Sequence, residues 1–229
     1  MADFQLTTIN CPVCGSEFQA KSYTNLNSHN NADEFDELCN GHLFAQHCPS
    51  CHEHVVVDFP VLVDDMDNKY LIQYIPASKD GKDAVMHSLA NFTGLAKHGQ
   101  DTHYAGYGFR ICMAQTDLQE KILIAKAGLD DRVVELVKGL LAIHQASKSG
   151  FAVTSPIYFE ERQNDNLIFE IHNENHEHFD IICPEDTYKS LSDDFKFEDK
   201  NSEGFVINRA WALETLMQKE EEEASKPSE

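Results

Sequence analysis

Cys11-Pro12-Val13-Cys14 and Cys48-Pro49-Ser50-Cys51 decide how this chain is read. Each segment sets two thiols three positions apart, with a proline directly after the first. Two such pairs supply four soft ligands, the number that a tetrahedral metal site needs. A Cys-x-x-Cys turn aims both sulfurs at one ion about 2.3 Å away. Successive backbone N–H groups in the turn donate to the sulfurs and favour the thiolates. Proline's fixed φ starts such a turn. Gly15 follows the first pair and suits the positive φ at which the knuckle turns back. His52 stands in that place after the second pair, where a side chain carries strain unless the turn differs.

Residues 15–47 separate the pairs, more than the roughly 15–20 residues usual between the knuckles of a zinc ribbon. A small inserted element accounts for the excess. Residues 31–39, Asn-Ala-Asp-Glu-Phe-Asp-Glu-Leu-Cys, read as a short helix with acidic residues in its first turn. The spacing predicts a four-cysteine zinc site and leaves three other readings open. Structural disulfides are opposed by the odd number of cysteines, seven, and by the lack of a signal-peptide pattern at Met1-Ala-Asp-Phe4. A thioredoxin-type redox pair opens a helix in a βαβ unit and needs no second matching pair. A rubredoxin-like iron site also uses two Cys-Pro-x-Cys knuckles. Cys39, Cys112 and Cys183 read as buried apolar residues, with Cys39, nearest the knuckles, the only alternate ligand.

With 229 residues the chain makes one large or two small domains, and an apolar fraction of 41% fills a core. No run approaches the ~20 apolar residues of a membrane span. Unpaired cysteines without a targeting signal point to a reducing cytoplasm. Eighteen basic against thirty-nine acidic residues leave a net charge of −21, which opposes binding to a phosphate backbone and favours a protein partner. Oligomeric state is not legible.

The pattern along the chain predicts an α+β fold. Phe4, Leu6 and Thr8 alternate in a strand feeding the first knuckle, and Phe18–Tyr23 is the return strand. Leu43–His47 and His54–Val57 flank the second knuckle, and Val61–Val63 with Tyr70–Ile75 form a hairpin over the polar run 64–69. The N-terminal region thus reads as a zinc ribbon with a helical insert, extended into a sheet. Residues 82–98 are helical, and Tyr104–Met113 is a strand holding Gly106 and Gly108, which suggest a bulge or close backbone approach. Thr116 opens the next helix, with Gln119 placed as in a capping box, and Gly128 ends it. A second helix, Asp130–Ser147, is apolar on more than one face and so buried. The C-terminal part is an antiparallel sheet with helices: strands Phe151–Phe159, Leu167–His172 and Phe179–Cys183, a short helix from Pro184, a last strand Phe205–Ile207, and a helix from Asn208 to about Glu220. The domains expected are residues 1–128, binding the metal, and 129–229, with the acidic tail 220–229 disordered by self-repulsion.

With the knuckles placed, the chain resembles the bacterial and archaeal CpXC family, named for its two Cys-Pro-x-Cys motifs. Phe59-Pro60 with Val61-Leu62-Val63-Asp64 resembles the segment after the second knuckle. Leu118-Gln119-Glu120-Lys121-Ile122 and Gly128-Leu129-Asp130-Asp131 with Val134-Glu135-Leu136 resemble the helical stretch of longer members. The resemblance covers roughly residues 9–140 and implies a zinc-binding domain without an assigned role, with Cys11, Cys14, Cys48 and Cys51 as ligands.

Twelve histidines are many for this length. His42, His47, His52 and His54 crowd the second knuckle, and His172, His176 and His178 cluster at a turn. Surface histidines beside a closed structural site are the plainer reading, with adventitious metal binding open to the second group. Asp64, Asp65 and Asp67 could gather a hard cation, but turn chemistry accounts for them; Asp130-Asp131 reads as a helix start. No catalytic Ser-His-Asp order, phosphate loop or nucleophile elbow is present. The expected function is a zinc-containing interaction protein rather than an enzyme. Two alternatives stand beside it: an enzyme with a polar pocket near His98, His103 or the Asp64 turn, and an iron electron carrier.

Overall fold

The computed structural model describes residues 4–77, 81–98, 103–147, 151–173, 175 and 177–225. The fold is α+β, with the cysteine pairs among strands and an antiparallel sheet with helices later in the chain. Two compact units divide it, residues 1–122 and 123–229.

In the first unit, β1 (Phe4–Asn10) pairs antiparallel with β2 (Glu17–Tyr23), which sets Asn10 opposite Glu17 and the first cysteine pair at the hairpin end. β3 (Asn25–Asn27) leads to α1 (Ala32–Cys39), the inserted helix, which buries Phe35 and Leu38. β4 (Ala45–His47) and β5 (His54–Val56) form a second hairpin that carries the second cysteine pair. β6 (Val61–Asp65) and β7 (Tyr70–Tyr74) follow as a third hairpin, then α2 (Gly81–His98), β8 (Gly108–Cys112) and α3 (Gln115–Lys126). The knuckle hairpins remain two-stranded sheets of their own. A separate four-stranded sheet runs in the order β3-β6-β7-β8, parallel at both outer pairs and antiparallel in the middle, rather than as a continuation of the ribbon.

Alternation of side chains decides the two faces of that sheet. Val61, Val63, Ile72, Tyr74 and Cys112 are buried on one, Leu71, Phe109 and Ile111 on the other. Phe92 of α2 stacks on Phe109 with ring centroids 5.2 Å apart. A column of aromatic contacts, Phe4–Tyr23–Phe59–Phe44–Tyr74, ties both knuckle hairpins to the sheet, with successive centroids 6.4, 6.1, 4.9 and 5.4 Å apart. Phe59, directly before Pro60, is its centre.

In the second unit, Gly128 at φ +69° closes α3: its N–H donates to Ala125 O at 3.0 Å and the Leu129 N–H to Ile124 O at 3.1 Å, a left-handed C-cap. α4 (Asp131–Ala146) is capped by the Asp130 carboxylate, which accepts from Arg132 N at 3.0 Å. β9 (Ile157–Gln163), β10 (Asn166–His172) and β11 (His178–Pro184) form an antiparallel sheet with β10 central. α5 (Glu185–Phe195) starts after Pro184, and α6 (Arg209–Ala224) completes the described chain. Val133, Val134, Leu136 and Val137 of α4 share one core with Phe159, Leu167, Phe169 and Ile171. At Gly139 a Cβ would come within 2.9 Å of Leu216 on α6, so the helices pack where glycine leaves room.

Several expected elements are corrected. The strand read over Tyr104–Met113 covers only Gly108–Cys112, because Gly106 lies in the preceding turn at φ +75°. α3 begins at Gln115, so Thr116 is inside the helix and forms no capping box; Gln119 Nε2 instead donates to Leu38 O at 3.2 Å. The strand read from Phe151 starts at Ile157, and residues 205–207 are irregular, with Ile207 buried. The end of α4 leaves Leu140 and Ile143 exposed, at 38% and 49%. α6 runs to Ala224, a turn beyond Glu220. Residues 226–229 and His176 lie outside the described residues.

Candidate metal centre

The two knuckles share one backbone geometry. The Cys11 N–H donates to Ser16 O at 2.9 Å and the Gly15 N–H to Cys11 O at 2.9 Å. The Cys48 N–H donates to Glu53 O at 3.0 Å and the His52 N–H to Cys48 O at 2.8 Å. Gly15 sits at φ +74° and His52 at φ +63°. The second knuckle therefore adopts the same turn despite its side chain, and the strain expected at His52 is present. Each knuckle's first cysteine is buried, while Cys14 is exposed and Cys51 intermediate.

Gln46 sets the two hairpins side by side. Its carboxamide accepts from Lys21 N at 2.8 Å and donates to Lys21 O at 2.6 Å, an amide substituting for a ladder rung between β2 and β4. The four Sγ atoms of Cys11, Cys14, Cys48 and Cys51 then lie within 4.8 Å of one another. Cys11 Sγ is 3.7 Å from Cys51 Sγ, and Cys14 Sγ is 3.7 Å from Cys48 Sγ. A tetrahedron with metal–sulfur bonds of about 2.3 Å has edges of about 3.8 Å, so the donor set fits a tetrahedral ion. These spacings far exceed a sulfur–sulfur bond of about 2.05 Å, and none of the seven cysteines is in a disulfide.

Ser16 was not singled out from sequence. Its hydroxyl lies 3.0 Å from Cys14 Sγ and 3.4 Å from Cys48 Sγ, bridging the knuckles. This hydroxyl, and then the N–H of Ser16, hold the Cys14 thiol below its ordinary range. The same hydroxyl, and then the N–H of Cys51, push Cys48 down to about 6. At Cys51 the Glu53 N–H lowers the value, but burial and the other three sulfurs outweigh it and push the thiol up to about 12. Four thiolates cannot collect at this spacing without a cation to offset their repulsion, and a divalent ion reverses that balance. The only sign of Ser16 in the sequence was its place two residues after Cys14; the matching residue of the second knuckle, Glu53, has no hydroxyl.

The other candidates stand apart from this cluster. Cys39, Cys112 and Cys183 are not in it. His47 and His54 face each other across β4 and β5 with centroids 4.0 Å apart, and neither they nor His42 or His52 belong to the four-ligand group. The Asp64 turn is held by hydrogen bonds within the turn and to residues 27 and 29. Asp64 Oδ2 accepts from Asn27 Nδ2 at 3.0 Å, Asp65 accepts from Asn68 N and Nδ2, and Asp67 meets His29 Nε2 at 2.8 Å. A groove of about 530 Å³ beside α2 is lined by Leu62, Leu71, Phe92, Leu95 and Tyr104 among others, and neither His98 nor His103 lines it. His103 packs on Tyr104 and Tyr107. Asp130, read with Asp131 as a helix start, is the N-cap of α4, which begins one residue later at Asp131.

A family profile described as CpXC protein matches residues 9–138. The chain belongs to the CpXC family. The matched span of this CpXC protein contains both knuckles, the inserted helix and the four-stranded sheet. Comparison with curated proteins and with solved structures finds no match. No helix among the described residues is long and apolar enough to cross a membrane.

Proposed function

We propose that this CpXC protein is a zinc-binding interaction module in which Cys11, Cys14, Cys48 and Cys51 hold one structural zinc. The four-sulfur cluster, with its two edges of 3.7 Å, carries the reading. Zinc with four thiolates keeps no open position for water, so the ion holds the two hairpins together and performs no hydrolysis. The net charge of −21 supports a protein partner with basic groups over nucleic acid. Seven cysteines outside any disulfide support a reducing cytoplasm as the compartment.

Elemental analysis of untagged protein, with a thiol count before and after chelation, tests this. One zinc per chain and four newly reactive thiols are expected. Cys11→Ser is expected to lose the zinc and destabilise the knuckle region; unchanged metal content and melting would refute the assignment. A red, redox-active protein would establish iron in the same four-sulfur site. Metal-free protein with each pair oxidised would make the knuckles redox disulfides.

A further inference from the structure

The three-stranded sheet of the second unit has a face that its core does not use. Leu167, Phe169 and Ile171 of β10 point into the core, so Ile168, Glu170 and His172 point the other way. Strand register carries Asp180 opposite Glu170 and His178 opposite His172. On β9, Tyr158 lies opposite Glu170, and its ring meets that of His172 edge-on at 5.6 Å. The His172 and His178 rings are 6.1 Å apart, and Glu170 Oε1 contacts His172 Nε2. No lysine or arginine among the described residues pairs with Glu160, Glu170 or Asp180. Burial, and then the Glu170 and Asp180 charges, hold the Glu160 carboxyl above its usual range.

We propose that this face binds one divalent transition-metal cation, independent of the cysteine cluster, with His172 and His178 as nitrogen ligands. Imidazole suits Zn²⁺, Cu²⁺ and Ni²⁺, and two directly opposed residues of adjacent strands place both rings on one side of a rigid ladder. Glu170 on one ring nitrogen fixes the orientation of His172 and leaves the other nitrogen for the ion, the usual carboxylate–histidine–metal relay. Glu160 and Asp180 add an uncompensated negative field that a cation relieves. Three ligand atoms do not lie within 4.8 Å here as those of the cysteines do, so binding turns the exposed His178 ring towards His172.

Isothermal titration of the full, untagged chain with Ni²⁺ tests the proposal. One equivalent in the micromolar range is expected, with affinity at least tenfold weaker in His172→Ala and in His178→Ala. Glu170→Gln should weaken it several-fold, and His47→Ala should leave it unchanged. His178 is exposed, so that variant should keep the wild-type melting transition and decides the matter even where His172→Ala folds poorly. Saturation only above about 1 mM would show adventitious binding and overturn the proposal. Binding that persists in His178→Ala and vanishes in Cys11→Ser would place the ion at the cysteines, with the same result.

Discussion

Strand β1 leaves six of its seven residues exposed, whereas α4 buries ten of its sixteen. The hairpins that carry the cysteine pairs have few apolar side chains to hide, and β4 and β5 are three residues each. Such elements are marginal by themselves, and an ion that ties two of them together contributes its binding free energy to folding. The C-terminal unit needs no such help, because Val133, Leu136, Val137, Phe159, Leu167 and Phe169 are all nearly or fully buried. The difference sets hairpins whose four sulfurs could be tied by one ion beside a unit held by many weak contacts among apolar groups.

Chelation should break the comparison most visibly. Removing metal is expected to abolish ordered structure in the knuckle hairpins while the transition reported by Trp211, the single tryptophan, is unchanged. Loss of both signals together would refute the separation. Phe169→Ala, at a fully buried position, should act in the opposite sense. A loss of about 3–5 kcal/mol is expected in the Trp211 transition, with metal content unchanged.

A smaller effect comes from Glu185, whose carboxylate accepts from Arg162 Nε at 2.9 Å and Nη2 at 2.7 Å. That bidentate contact holds the Glu185 carboxyl below its ordinary range against the opposing effect of burial. Its folded-state value is depressed, so its stabilisation is present above the ordinary carboxylate range and disappears as pH falls through the folded value. Glu185→Gln should therefore lower the melting temperature at pH 7, and the gap from wild type should close on acidification below about pH 4. A pH-independent gap would assign the effect to packing. The smallest change expected is at His52, held at φ +63°. His52→Gly should stabilise the metal-bound form by about 1 kcal/mol, whereas Gly15→Ala should destabilise it by a similar amount, as thermal melts at matched zinc would show. A destabilised His52→Gly or an unaffected Gly15→Ala would mean that the knuckles differ in more than this residue.

Much of the fold was legible where a residue has a local reason for its place. The cysteine pairs, the acidic start of α1, Asp130 as the cap of α4 and Gly128 as the end of α3 each answer to chemistry within a few residues. Errors arose where a neighbour distant in sequence decides. Gln119 has the position of a capping-box partner in the sequence but is drawn to the C-terminus of α1. β3, of which Asn25 and Asn27 are two of three residues, exists because it pairs in parallel with β6, residues 25–27 against 62–64. No periodic signal spans three residues. Phe151 and Phe205 each begin a short apolar run that belongs to none of the strand ladders among the described residues.

The site divides along the same line. The spacing of the cysteines, the family and the excess of negative charge are properties of the sequence, because ligand type, count and local turn chemistry need no knowledge of distant contacts. Tertiary structure decided that the two knuckles meet, through Gln46 on Lys21 and the aromatic column centred on Phe59 and Phe44. It also decided that Ser16 reaches sulfurs of both pairs, and that His172 and His178 lie opposite each other beside Glu170. Which side chains converge is set by strand register and by packing between segments tens of residues apart, and neither is written in any local stretch of the chain.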